Sequence, residues 1–260
     1  MFDFTLKMYR RLCWELAESG YISVRMGDYY SVKATSQEAR VFLRHDIDRR
    51  PFSALNLVKI EKEFGLSATY FFRCVGSAFN PQVIAQVHDQ GMEVGYHYEC
   101  LDRAKGNYEM ALQICKSDLE KLREIAPVVS MAMHGNPLTS YDNRDLWKKY
   151  DFHELGIKVA AYLSLDYTQI RYYTDTGRNW DEQRGNLYDQ VDTPAAVRLT
   201  STPKLIQFLR ANKQDTCILT HPNRWSDNPL TWIGSAIYDH TGNAVKEIIK
   251  LTRYRRHRGD

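Results

Sequence analysis

Val41-Phe42-Leu43-Arg44-His45-Asp46-Ile47-Asp48-Arg49-Arg50-Pro51 is the stretch on which the fold and the chemistry of this chain turn. An apolar run ends in two carboxylates two residues apart. Alternate residues of a β-strand share a face, so on a strand Asp46 and Asp48 both aim at one spot near its C-terminal end. Two like charges held that close are costly unless a cation or a proton lies between them. A metal-assisted hydrolase needs such a pair, with one carboxylate to bind the ion and one to move protons. By itself Asp-x-Asp is usually a solvated turn, or a helix N-cap ahead of Pro51, and the rest of the chain has to decide.

Outward from this stretch, strand-like runs alternate with helical patterns. The runs are Ala68–Phe72, Met92–His97, Val128–Met133, Val159–Leu165, Ile170–Tyr173 and Cys217–Leu219, several rich in β-branched or aromatic residues as buried parallel strands are. Between them Ala111, Ile114, Cys115, Leu119, Leu122 and Ile125 keep the spacing of one helix face, as do Leu205, Phe208 and Leu209. Strand–helix alternation predicts an α/β fold with a parallel sheet, either a barrel or doubly wound. Two further helices are expected outside the repeat. One covers 4–19, with Leu6, Tyr9, Leu12, Cys13 and Leu16 as its stripe and Gly20 as its stop; the other covers 243–254, with Val245, Ile248, Ile249 and Thr252. No linker, repeat or composition break interrupts the chain, which predicts one domain over 1–260 with a core at about 38–225.

The polar candidates share one position, the ends of the strands. Asp46 and Asp48 follow the first, His97 and Glu99 the third, His134 the fourth, Asp175 and Arg178 the sixth, and His221 the last. In a parallel α/β sheet or barrel those ends converge on one mouth, where active sites lie. One histidine there would be a hydrogen-bonded structural residue; three, with two carboxylate pairs, point to a site. Imidazole and carboxylate are the usual ligands of catalytic zinc. His88, His153 and His240 lie in helix-like or loop contexts and are taken as surface or packing residues.

Composition excludes little. The 260 residues are 43% hydrophobic and 26% charged, with a formal net charge of +3, which is ordinary for a globular protein and gives no argument for nucleic acid as a partner. The basic run Arg253–Arg258 reads as a solvated tail. The five cysteines show no CxxC spacing and are expected as reduced, buried thiols. The N-terminus lacks the pattern of a signal peptide, and no apolar stretch approaches a membrane span, so a cytoplasmic location is expected.

The order Asp46-x-Asp48, Gly91-Met92-Glu93-Val94-Gly95-Tyr96-His97, His134-Gly135-Asn136-Pro137 and Leu219-Thr220-His221-Pro222 resembles the polysaccharide deacetylases, also called NodB-homology or carbohydrate esterase family 4 proteins. The resemblance covers roughly residues 40 to 225. It implies a distorted (β/α)7 barrel and metal-dependent removal of an acetyl group from an N-acetylated or O-acetylated sugar. It implies a divalent metal ion, zinc first, with cobalt, nickel or manganese as alternatives. It places Asp46 as general base, Asp48 and His97 as metal ligands, and His221 as general acid, with Asp175 expected to orient His221. Three departures stand out. Ile47 separates aspartates that the family sets side by side. Leu101 stands where the family has its second ligand histidine, leaving Glu99 or His134, with His134 favoured, to replace it. Asn136-Pro137 stands where the family has Arg-x-Pro, leaving Arg44 or Arg178 to orient the base. Tyr96, Tyr98, Trp180 and Trp225 are expected as aromatic walls of a sugar site, with Asn136 also on the substrate. The expected substrate is a small acetylated sugar, nucleotide- or lipid-linked, in surface polysaccharide metabolism. The alternatives are a metal amidohydrolase on a non-sugar amide and a sugar-binding barrel that has lost its metal.

Overall fold

The computed structural model describes residues 2–32, 38–136, 139–180, 191, 197 and 199–242. In chain order the strands are β1 (Ile22–Ser23), β2 (Arg40–Ile47), β3 (Ala68–Phe72), β4 (Glu93–Tyr98), β5 (Ser130–Met133), β6 (Val159–Ala160), β7 (Arg171–Thr174) and β8 (Thr216–Thr220). The helices are α1 (Leu6–Glu18), α2 (Ser53–Glu63), α3 (Pro81–Asp89), α4 (Cys100–Arg103), α5 (Tyr108–Arg123), α6 (Leu146–Lys149) and α7 (Thr202–Ala211). Residues 229–242 are also helical. The predicted helix at 243–254 lies outside the described residues.

The strands form one parallel sheet in the order β6-β5-β4-β3-β2-β8-β7, with β1 paired to the start of β2. Among the described residues β6 and β7 do not pair, so the sheet is a half-barrel wrapped by helices. This is the predicted α/β distorted barrel, with its distortion concentrated in one gap.

Alternation decides which side chain goes where. On β2, Phe42 joins Phe71, Ala132, Val159, Tyr172, Cys217 and Leu219 on the concave face. Its neighbours Val41, Leu43 and Ile47 join Ala68, Tyr70, Val94, Tyr96, Met131 and Ile218 against the helices. Arg44 and Asp46 have the parity of Phe42 and therefore point into the half-barrel. Glu93, Gly95 and His97 do the same from β4. Gly95 is required there, because a Cβ would meet Phe71 Cδ1 at 2.4 Å. At the closed end, Glu93 accepts hydrogen bonds from Gly27 N–H, Thr69 and Ser130. Burial pushes its carboxyl above the usual range, although those donors oppose the rise.

Local chemistry starts the helices at the right places. Thr5 Oγ1 caps α1, Asn80 caps α3 ahead of Pro81, and Asn107 caps α5. The apolar stripe of α1 packs on α2 and α7. One expectation is corrected. The run Val159–Leu165 is a strand only over β6, because Leu163 and Ser164 N–H turn back onto Ala160 O and expose Leu163. The helix at 229–242, which the sequence patterns do not predict, is anchored by buried Ser235, Ala236 and Asp239. The five cysteines are free thiols, and all but half-buried Cys74 are buried.

Candidate active site at the carboxyl ends of the strands

Arg44 and Asp46 lie on the same face of β2 and form a two-pronged ion pair, Nε to Oδ1 at 2.9 Å and Nη2 to Oδ2 at 2.7 Å. Arg44 is fully buried, and its guanidinium sits 4.4 Å from the Tyr162 ring centre. Burial would raise the Asp46 carboxyl, but Arg44 and then His97 outweigh it and hold Asp46 below the usual carboxylate range. Arg44 is thus the arginine that orients Asp46. Arg178, the other sequence candidate, is instead paired to Asp239 at 2.9 Å and donates to the carbonyl of Arg224.

One residue beyond β2, Asp48 turns into the same mouth. Its Oδ1 lies 3.3 Å from His97 Nε2 and 3.1 Å from His134 Nδ1, and the two imidazole nitrogens are 3.2 Å apart. His97 Nδ1 faces the carbonyl of Ala132 at 3.0 Å. A carbonyl only accepts, so Nδ1 carries the proton and Nε2 offers a lone pair. With His134 in the tautomer protonated at Nε2, its Nδ1, His97 Nε2 and Asp48 Oδ1 bring three lone pairs together in a triangle. A proton shared within it joins one pair at a time, whereas a cation joins all three. Asp48 Oδ1 is buried and has no hydrogen bond of good geometry among the described residues. Burial would raise the Asp48 carboxyl, but His134 foremost, with His97 and His221, holds it well below the usual range. A tetrahedral zinc site with arms of about 2.0–2.1 Å has edges of about 3.3–3.4 Å, close to the triangle observed. Asp48, His97 and His134 are the metal-competent group among the described residues.

Asp46 and His221 flank this triangle. Asp46 Oδ2 is 3.5 Å from His97 Nε2, and His221 Nε2 is 3.7 Å from Asp48 Oδ2. His221 Nδ1 donates to Asp175 Oδ1 at 2.6 Å, and its backbone N–H donates to Asp175 Oδ2 at 2.9 Å. This fixes the tautomer and leaves Nε2 toward the mouth. Asp175 also accepts from Arg224 at 2.6 Å and from the Trp225 indole at 2.8 Å. Burial works against the charge on Asp175, but Arg224 and His221 hold its carboxyl well below the usual range.

Glu99 is absent from the triangle because Arg73 takes its carboxylate at 2.6 Å. The expected aromatic walls are also corrected. Tyr96 and Tyr98 flank His97 in sequence and so face the helices, where Tyr96 donates to Asp118 and Tyr98 packs on Trp147. Trp180 and Trp225 are buried against each other and Phe4. Asn136 stays half-buried in the loop after His134.

Sequence reasoning passed over four polar residues that support the site. Arg224 lies three residues after His221 in the 3-10 turn Pro222–Arg224. Asp239 gathers Arg49, Arg178 and Arg224 from a helix that was not anticipated. Asn143 reaches the His134 loop from another 3-10 turn. His45 points out of the half-barrel and ties β2 to Thr220 of β8 and Glu61 of α2 at 2.6 and 2.7 Å. For His45 the signal was present, since its parity opposes that of Asp46; for the other three no spacing rule applies.

No protein-family model matches the chain, and no curated protein matches it. Solved structures similar to it include polysaccharide deacetylases and family 4 carbohydrate esterases. They include the peptidoglycan deacetylase PdaC of Bacillus subtilis, 14% identical over 84% of this chain and 94% of that one, with a TM-score of 0.44. A family 4 esterase of Streptomyces lividans is 17% identical over 78% and 88%, with a TM-score of 0.41. A family 4 esterase of Bacillus anthracis is 13% identical over 93% and 84%, with a TM-score of 0.40. A pseudoenzyme of that family is among the similar structures as well. These likenesses concern the fold, and the functional reading rests on the geometry above.

Proposed function

We propose that the chain is a metal-dependent hydrolase that removes an acetyl group from an acetylated sugar. The observation that carries the reading is the triangle of Asp48 Oδ1, His97 Nε2 and His134 Nδ1, with Asp46 on one side and His221 on the other. Asp48, His97 and His134 would hold a divalent ion, zinc first by donor type. When bound, the ion supplies Lewis acidity, polarising the acetyl carbonyl and lowering the pKa of water.

The chain's own residues divide the proton work. Asp46, kept ionised and oriented by Arg44, accepts the proton of the attacking water. His221 Nε2 delivers a proton to the departing amine or alkoxide, with its ring fixed by Asp175. The concave face below is apolar and aromatic, so these charges act in a poorly screened environment. The narrower expectations, a cytoplasmic setting and a nucleotide- or lipid-linked sugar, rest on the sequence alone. No described helix is long and apolar enough to cross a membrane.

The test is acetate release from a panel of N-acetyl and O-acetyl sugars, with the protein loaded in turn with zinc, cobalt, nickel or manganese. Wild type should release acetate and Asp46→Asn should not, with circular dichroism confirming that the variant is folded. Release from simple aryl amides but from no sugar would move the reading to a non-sugar amidohydrolase. Unchanged turnover in Asp46→Asn would remove Asp46 as the base.

A further inference from the structure

The departure that most sets this chain apart is Leu101, which is buried in the core four residues after His97. The ligand-type side chain in the triangle comes instead from His134, beyond the end of β5. Between these two positions stands one buried side chain, Asn143. Its Oδ1 accepts from the backbone N–H of Leu101 at 2.9 Å and of Asp102 at 3.1 Å. Its Nδ2 donates to Asp102 Oδ2 at 3.0 Å and to the backbone carbonyl of His134 at 3.1 Å. An asparagine amide offers two acceptor and two donor positions, and all four are used. The partners also fix the orientation of the amide, since two N–H groups lie on one side and two oxygens on the other.

The backbone of His134 is thereby held at both ends. Its N–H extends the β-ladder by donating to Tyr98 O at 2.8 Å, and its carbonyl is taken by Asn143. The ladder bond alone would leave the residue free to swing about its N-terminal side. The second bond fixes the peptide plane, and with it the direction of Nδ1 toward Asp48 and His97. The loop beyond is tied to the same carboxylate, because Thr139 donates to Asp102 at 2.5 Å.

We infer that Asn143 is the positioning residue that lets a histidine from the end of β5 complete the metal centre, by locking the His134 carbonyl to the turn at Leu101. The inference rests on the metal-centre reading above. Residues that orient a ligand from behind typically carry about 10- to 100-fold in metal affinity.

Asn143→Ala leaves four polar groups without this partner and could unfold the protein, so the decisive variant is the paired exchange Asn143→Asp with Asp102→Asn. It keeps an acceptor for the Leu101 and Asp102 N–H groups and keeps the 102–143 side-chain link with its polarity reversed. It replaces the donor to the His134 carbonyl by a carboxylate oxygen that repels it. Zinc Kd is measured by competition with a chromophoric chelator, and the melting temperature is measured on the metal-free protein. The expected result is a zinc Kd weakened by about 10-fold or more, in a metal-free protein that still melts in one cooperative transition. Wild-type zinc affinity in the exchange variant would overturn the inference and leave the metal centre standing. A wild-type protein that takes up no zinc would overturn the metal-centre reading and this inference with it.

Discussion

Replacing Arg44 with methionine tests the electrostatics beneath the site. Arg44 is fully buried and makes both of its bonds to Asp46 in the interior, at 2.9 and 2.7 Å. Methionine fills much of the aliphatic volume but leaves Asp46 buried without its cation. Breaking one side of a buried pair costs about 3–5 kcal/mol, a fifth or more of the roughly 5–15 kcal/mol that holds a typical domain. The pH dependence has a definite sign. In wild type the depressed Asp46 pKa contributes stability that is present above the unfolded value of 3.8 and is lost as pH falls through the folded value. Without Arg44, burial dominates and raises the pKa, so the variant's deficit grows as pH rises through 3.8 and shrinks in acid. Asp46→Asn has the mirror defect, a stranded guanidinium, and should be destabilised too. Arg44→Met with Asp46→Asn removes both charges and should be more stable than either single variant by about 1–2 kcal/mol. Urea unfolding at pH 7 and near pH 4 measures these differences. Strictly additive losses in the double variant, or a deficit independent of pH, would refute the reasoning.

Further outcomes follow from residues elsewhere in the half-barrel. The raised Glu93 pKa means that the native state binds more protons than the unfolded chain from about the model-peptide value upward, so stability falls as pH rises through that window. Glu93→Gln should abolish that fall, and parallel stability–pH curves for variant and wild type would contradict it. Trp225→Ala should cost about 3–5 kcal/mol of stability, because its ring packs on Phe4, Tyr9 and Trp180; a change in KM with unchanged stability would restore it to the substrate wall. Asp175→Asn should lower kcat by about 100-fold or more with KM little changed, read from steady-state acetate release, since it loosens His221 without touching the triangle.

Much of this architecture was legible in the chain, for reasons that are physical. β3 runs over Ala68–Phe72 as its β-branched and aromatic content predicted, and β4, β5, β7 and β8 lie on or within two residues of their predicted runs, while β2 continues four residues past the apolar run Val41–Leu43 to take in Asp46. Buried parallel strands write themselves as apolar runs. Asp46, Asp48, His97, His134 and His221 converge at the strand ends, because alternation and a shared C-terminal mouth leave little freedom, whereas Glu99 is drawn off by Arg73. The failures have a common cause. Tyr96 and Tyr98 were placed on the substrate although the same alternation that sends His97 inward sends them outward. Trp180 and Trp225 sit beyond strand ends, where no period governs direction. β1 is two residues long and leaves no pattern. Arg224, Asn143 and Asp239 act across sequence distances that no local rule spans, and Arg178 was drawn to Asp239 by a helix that the sequence did not announce.

The most direct measurement is the metal content, by elemental mass spectrometry, of protein purified without chelators or a metal affinity step. It should be made on wild type, His97→Ala, His134→Leu and Glu99→Gln after exposure to zinc. The geometry predicts close to one zinc per chain in wild type and in Glu99→Gln, and loss of the ion from both histidine variants. Stoichiometric zinc in His134→Leu, with loss in Glu99→Gln, would contradict the triangle of Asp48, His97 and His134 on which the functional reading stands.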